Sequence, residues 1–236
     1  MKPFLFLIAF FLGLLMSIHA QIKLPSLSSG KVGNLTQLEA GDGIKDALNQ
    51  GVANAILNLG KTDGFFGSAV YKMLLPPEFA KAEKVLRNAG LGNEVDKAIL
   101  AMNRGAEEAV ALAKPIFASA IKGMALTDAL TIVRGSNRAA TDYFQNKTTD
   151  SLKVVFTPSV KTSLDKTEAT KYYADIVNTY NKLPTSFKKL NPDLTGYVVE
   201  KSLAALFDQI AQQESLIRKD PAAQTSTLLQ KVFGKK

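Results

Sequence analysis

The sequence predicts an all-α protein: a single irregular multi-helix bundle of about eight to nine helices with little or no strand. Three observations predict it. From Gly41 onward apolar residues recur at three- and four-residue steps, the spacing that lines one face of a helix. Glycine and proline mostly fall between these periodic runs, where they start and stop helices. Only Val70 to Leu75 reads as an extended segment, and Pro76-Pro77 closes it.

The fold does not begin with the chain. Lys2 supplies a positive start, Phe4 to Met16 is apolar apart from Gly13, and Ser17-Ile18-His19-Ala20 ends on a small residue. That is the pattern of a secretory signal peptide over residues 1–20. The apolar run is shorter than the roughly 20 residues that span a bilayer comfortably. The alternative is a retained N-terminal anchor. Residues 21–40 are rich in Ser, Gly and Asn and read as a flexible leader, leaving residues 41–236 as the helical domain. The expected location is the periplasm or the extracellular space.

Within the domain, Asp42 is placed to cap a helix whose apolar face is Ile44, Leu48, Val52, Ile56 and Leu59. Gly60 ends it. Pro76 and Pro77 open the next helix, lined by Phe79, Ala82, Val85 and Leu86, and Gly90 and Gly92 end that one. A long helix from Asn93 carries Val95, Ile99, Met102, Ala106 and Val110, and Pro115 breaks it. Thr127 or Asp128 caps a short helix up to Gly135. Asn137 caps another with Tyr143 and Phe144. Thr149 starts a third, bent at Pro158, and Thr167 caps the one holding Tyr172, Tyr173 and Tyr180. After a loop from Pro184 to Pro192, Thr195 to Ile217 is strongly amphipathic. Asp220-Pro221 caps a last segment with the apolar stripe Leu228, Leu229, Val232 and Phe233.

Composition excludes most standard chemistry. The chain has one histidine, His19, and no cysteine or tryptophan. A mature chain without His or Cys forms no Ser-His-Asp or Cys-His triad, no zinc site of the usual ligands and no carboxylate-histidine di-iron site. No metal and no cofactor are expected. Gly60-Lys61-Thr62 is not a phosphate loop, because Ala55 stands where the first glycine belongs and a helix rather than a strand precedes it. Asn191 to Gly196 lacks the ligand ladder of a calcium loop and reads as a capping turn. Cleavage takes 29 basic residues to 28 against 21 acidic ones, a net +7 in place of +8. The charges are dispersed, so no nucleic-acid partner is expected, and an anionic membrane surface remains a candidate.

Two groups of residues stand out. Lys61, Asp63, Phe65 and Phe66 lie in a glycine-flanked turn, which predicts a loop packed back on the bundle; the alternative leaves both phenylalanines exposed as a docking tip for a membrane or partner. Gly60, Gly64 and Gly67 would supply unusual backbone angles, and Asp63 would bond nearby N–H groups. Asn103, Arg104 and Glu107 form the densest polar cluster within a helix, with Arg104 and Glu108 spaced for a surface ion pair. These seven are the candidate ligand or partner contacts. Glu214 and Arg218, also four apart, read as an ordinary surface pair, and the tyrosines at 172, 173 and 180 as core or rim packing.

Several stretches resemble the family called domain of unknown function 4197. They are Lys61 to Phe65, Leu75-Pro76-Pro77, Glu83 to Gly90, Val95-Asp96, Met102 to Glu107, Ala139 to Phe144, Phe156-Thr157-Pro158, Asp193-Leu194, Ile217 to Pro221 and Lys231 to Gly234. The likeness runs from about Gly41 to Gly234. It implies an exported bacterial protein and carries no catalytic residue. Gly105 stands where relatives carry alanine, a change that loosens a helix by up to about 1 kcal/mol. The expectation is a non-enzymatic exported envelope protein that binds a partner or a small apolar ligand. The alternative is a carboxylate-based periplasmic enzyme using Asp63 and Glu107.

Overall fold

The periodic runs become eight α-helices and two 3-10 turns in a computed structural model, which describes residues 37–182, 189–224 and 230. In chain order they are α1 (Gln37–Gly60), a 3-10 turn (Pro77–Phe79), α2 (Ala80–Asn88), α3 (Gly92–Ala111) and α4 (Lys114–Lys122). There follow α5 (Leu126–Arg134), α6 (Ala139–Asp165), α7 (Ala169–Lys182), α8 (Leu194–Lys219) and a 3-10 turn (Pro221–Ala223). No strand occurs among the described residues. Counting α3 and α4 as one rod, Gly92–Lys122, gives seven helices, slightly fewer than expected. The signal peptide, the leader as far as residue 36, residues 183–188, the Tyr180 side chain and the Leu228–Phe233 stripe lie outside the described residues.

Helix α8 is the axis. Its apolar positions from Leu194 to Ile217 are buried against α1, α3 and α6. Phe117 of α4 meets Phe144 of α6 edge-on at 5.3 Å and Phe207 of α8 at 6.3 Å, locking three helices with one aromatic cluster. Helix α3 approaches α6 closely because residue 105 is glycine. A Cβ there would stand 3.1 Å from that of Ser163, so the missing methyl that lowers helix propensity admits the neighbouring helix.

Several expected boundaries are corrected. Helix α1 already runs from Gln37, so Asp42 is an interior residue and the leader ends earlier than residue 40. Helix α5 begins after Ala125 and α6 after Arg138, neither of which caps with its own side chain, so Thr127, Asp128 and Asn137 are not caps. The two helices expected between Asn137 and Asp165 are one helix of 27 residues. Thr148 and Thr149 do not cap a new start. Their hydroxyls donate back to the carbonyls of Phe144 (2.7 Å) and Gln145 (2.5 Å), a pattern that keeps threonine inside a helix. Thr167 likewise donates to the Leu164 carbonyl instead of capping α7. Pro115 does separate α3 from α4, and Asp193 and Asp220 do cap, accepting from Gly196 N–H and Ala222 N–H. The capping turn before Gly196 is therefore as expected.

Candidate functional site

Five of the seven candidate residues, Asp63, Phe65, Phe66, Arg104 and Glu107, meet where the turn after α1 folds onto α3; Lys61 stays exposed beside them and Asn103 holds a different segment. The expected division of labour is wrong. The Asp63 carboxylate does not bond the neighbouring N–H groups. Glu107, 42 residues beyond Phe65, does so: its Oε1 accepts from the backbone N–H of Phe65 at 3.0 Å and of Phe66 at 3.2 Å. Its Oε2 accepts from Arg104 at 2.6 Å, and the other arm of Arg104 reaches Asp63 Oδ1 at 2.8 Å. The expected Arg104–Glu108 pair is thus replaced by Arg104–Glu107 and Arg104–Asp63. Hydrogen bonding to Glu107, then to Asp63, holds the guanidinium above its usual range.

The glycines of the turn supply space rather than positive φ. Asp63 itself adopts the left-handed conformation, at φ 64°. A Cβ on Gly64 would stand 2.2 Å from the Leu59 carbonyl oxygen, and one on Gly67 2.9 Å from that of Asp63. Phe65 is fully buried, as expected of a packed loop. Phe66 is half-buried, with the Lys72 ammonium 4.1 Å from its ring centroid and Arg104 behind it. Lys61 is exposed, and its carbonyl accepts the Gly64 N–H.

Asn103 is buried completely, not part of a solvated face. Its Oδ1 accepts from Met73 N–H at 2.8 Å, and its Nδ2 donates to the carbonyls of Met73 (2.9 Å) and Ile99 (2.7 Å). This explains Val70–Leu75. Residues 69–71 form a turn, closed by the Lys72 N–H on the Ser68 carbonyl, so the extended stretch is shorter than expected: after the turn, Lys72 and Leu74 are exposed while Met73 and Leu75 are buried, the alternation of an extended chain. Its ladder partner is a side-chain amide, so no strand forms. The cluster therefore acts as an anchor: Oε1 of Glu107 and the whole amide of Asn103 hold backbone, while Oε2 of Glu107 holds Arg104.

A separate cleft lies between α2, α3 and α7. It has a volume of about 330 Å³. Leu75, Phe79 and Leu86 form one wall, Val95 and Ala98 the floor, and Tyr172, Tyr173 and Ile176 the other wall, with Leu91 at the rim. Phe79 and Tyr173 stack with ring centroids 5.0 Å apart, and the Tyr173 hydroxyl donates to the Asn191 carbonyl. Burial, reinforced by the Glu78 carboxylate, pushes the Tyr173 phenol up to about 12. The lining is mostly aliphatic and aromatic; its polar members are Glu94, which is exposed and paired with Lys97, Thr167, and the hydroxyls of Tyr172 and Tyr173.

The family described as a protein of unknown function (DUF4197) matches residues 34–234 of the chain. The chain belongs to that family. No curated protein and no solved structure matches it. The stretches on which the resemblance to DUF4197 rests divide between the two features. Lys61 to Phe65 and Met102 to Glu107 build the anchor, whereas Leu75, Leu86 and Val95 face the cleft. None of the seven candidate residues lines this cleft. Helical spacing places Phe79, Leu86 and Val95 on apolar helix faces without saying which of them border a cleft. The one available signal was Leu91, an apolar residue isolated between Gly90 and Gly92, and it is 46% exposed at the rim.

Proposed function

We propose that this DUF4197 protein is an exported, non-enzymatic envelope protein that holds a small apolar ligand in the cleft between α2, α3 and α7. The observation that carries the reading is the cleft itself. Its volume falls in the range of small-molecule sites, and its lining is mainly aliphatic and aromatic with few polar groups. The leading residues 1–20 support export. The carboxylate-enzyme alternative gains nothing from Asp63 and Glu107, because one pairs with Arg104 and the other holds two backbone N–H groups.

The test is titration of residues 21–236 with the neutral dye N-phenyl-1-naphthylamine. Saturable enhancement at one dye per chain is expected. Ala98→Trp, which fills the floor of the cleft, should weaken binding at least about tenfold while the melting temperature shows the fold intact. Non-saturable enhancement, or binding indifferent to Ala98→Trp, refutes the site. Turnover of an ester, phosphate, peptide or glycan by the purified chain refutes the non-enzymatic reading.

A further inference from the structure

Helix α2 differs from its neighbours in how it is held. It has no buried residue. Of its nine residues only Ala82, Glu83 and Leu86 are even half-buried, and Val85 is 67% exposed. A helix this short does not persist by its own propensity and depends on what it packs against. What it packs against is mainly the Pro77–Phe79 turn and α3, and the residue it turns inward, Leu86, is a wall of the cleft. Few buried apolar contacts and a solvent-facing backbone place α2 at the low-stability end of the molecule.

Its two ends are unlike. The N-terminal end is fixed, because Phe79 is buried against Tyr173 and Pro76-Pro77 stiffen the approach. The C-terminal end is loose. Gly90 sits at φ 84° with open space around it. The N–H groups of Gly90 and Leu91 close α2 by donating to the carbonyls of Arg87 and Leu86, and these bonds travel with the helix. Helix α3 then starts afresh on the Leu91 carbonyl, which accepts from Glu94 and Val95. Any swing of α2 is absorbed between Gly90 and Gly92. One ion pair crosses that joint, from Arg87 Nη2 to Asp96 Oδ1 of α3 at 2.8 Å, while Arg87 Nε holds Glu83 at 2.9 Å.

We propose, resting on the reading of this cleft as the binding site, that α2 is its lid: it pivots on its fixed Phe79 end, the slack at Gly90–Gly92 lets its C-terminal end lift to admit the ligand, and it is latched by Arg87 on Asp96. Leu86 leaves the cleft as the lid lifts, so access opens without disturbing α3 or α8. The latch is at the surface and is screened by salt, so raised ionic strength acts in the same direction as removing Arg87.

Two measurements test the lid. Hydrogen exchange of residues 21–236 should show the amides of Ala80–Asn88 exchanging at least about a hundredfold faster than those of Ile99–Val110, and slowing when N-phenyl-1-naphthylamine binds. Stopped-flow mixing with the same dye should give association and dissociation rates both raised roughly three- to tenfold by Arg87→Ala, with affinity nearly unchanged. Lys84→Ala, which removes an exposed charge from the same helix, should leave the rates alone. Protection of α2 equal to that of α3, rates indifferent to Arg87→Ala, or equal acceleration by Lys84→Ala each overturns the lid. Those outcomes leave the cleft as a binding site. Absence of any saturable dye binding overturns the site, and the lid falls with it.

Discussion

Glu107 and Glu214 perform the same operation in two regions, and the difference between them lies in what surrounds the arginine. Glu107 accepts from two successive backbone N–H groups, those of Phe65 and Phe66, and pairs with Arg104. Glu214 accepts from Ala140 N–H (3.1 Å) and Thr141 N–H (3.0 Å) and from the Thr141 hydroxyl (2.8 Å), and pairs with Arg218 at 2.8 Å. The first holds a loop; the second caps the start of α6 from across the bundle. Arg104 leans outward, 32% exposed, toward Asp63 and the Phe66 ring. Arg218 is only 10% exposed and donates to the carbonyls of Ile132 and Val133 at the end of α5. One buried ion pair thus satisfies a helix start with its anion and a helix end with its cation, the signs the helix dipoles favour. The lesson is that identical chemistry anchors locally where water reaches the cation and globally where it does not.

Glu214→Ala should have the largest effect. It strands Arg218 in the interior and leaves the first N–H groups of α6 without a partner, a loss of about 3–5 kcal/mol in urea unfolding. The whole domain should lose stability together. A loss under about 1 kcal/mol would mean that water reaches Arg218 and that the two regions are alike.

Glu107→Ala should cost less, about 2–3 kcal/mol, because Arg104 regains water while two amides lose their acceptor. Its signature is local. Exchange at Phe65 and Phe66 should rise by far more than exchange at Leu203 or Ile210. Uniform acceleration across both regions would break the distinction between a loop anchor and a core cap.

Asp63→Gly should have the smallest effect, within about 1 kcal/mol of neutral, since glycine relieves the positive φ while an exposed ion pair is lost. A larger loss measured in the same urea series would show that Asp63 is a full member of the anchor rather than its exposed edge.

Much of the fold was legible because it follows from local rules. Helical periodicity gave the all-α architecture, Pro115 separated α3 from α4, and the aspartates at 193 and 220 capped as short acceptors do. The burial of Phe65 also followed from placing large apolar side chains in a tight turn. Local rules misread Asp63, because the donors of the turn were satisfied from α3 instead. They also misread Glu214–Arg218, since spacing four apart is the same on a wet surface and between two helix ends. Long-range packing decided which polar groups are anchors. It also decided that Leu86, Val95 and Tyr173, which belong to the core or pack on it, border a cleft as well, because an apolar stripe specifies that a face avoids water and not which surface covers it.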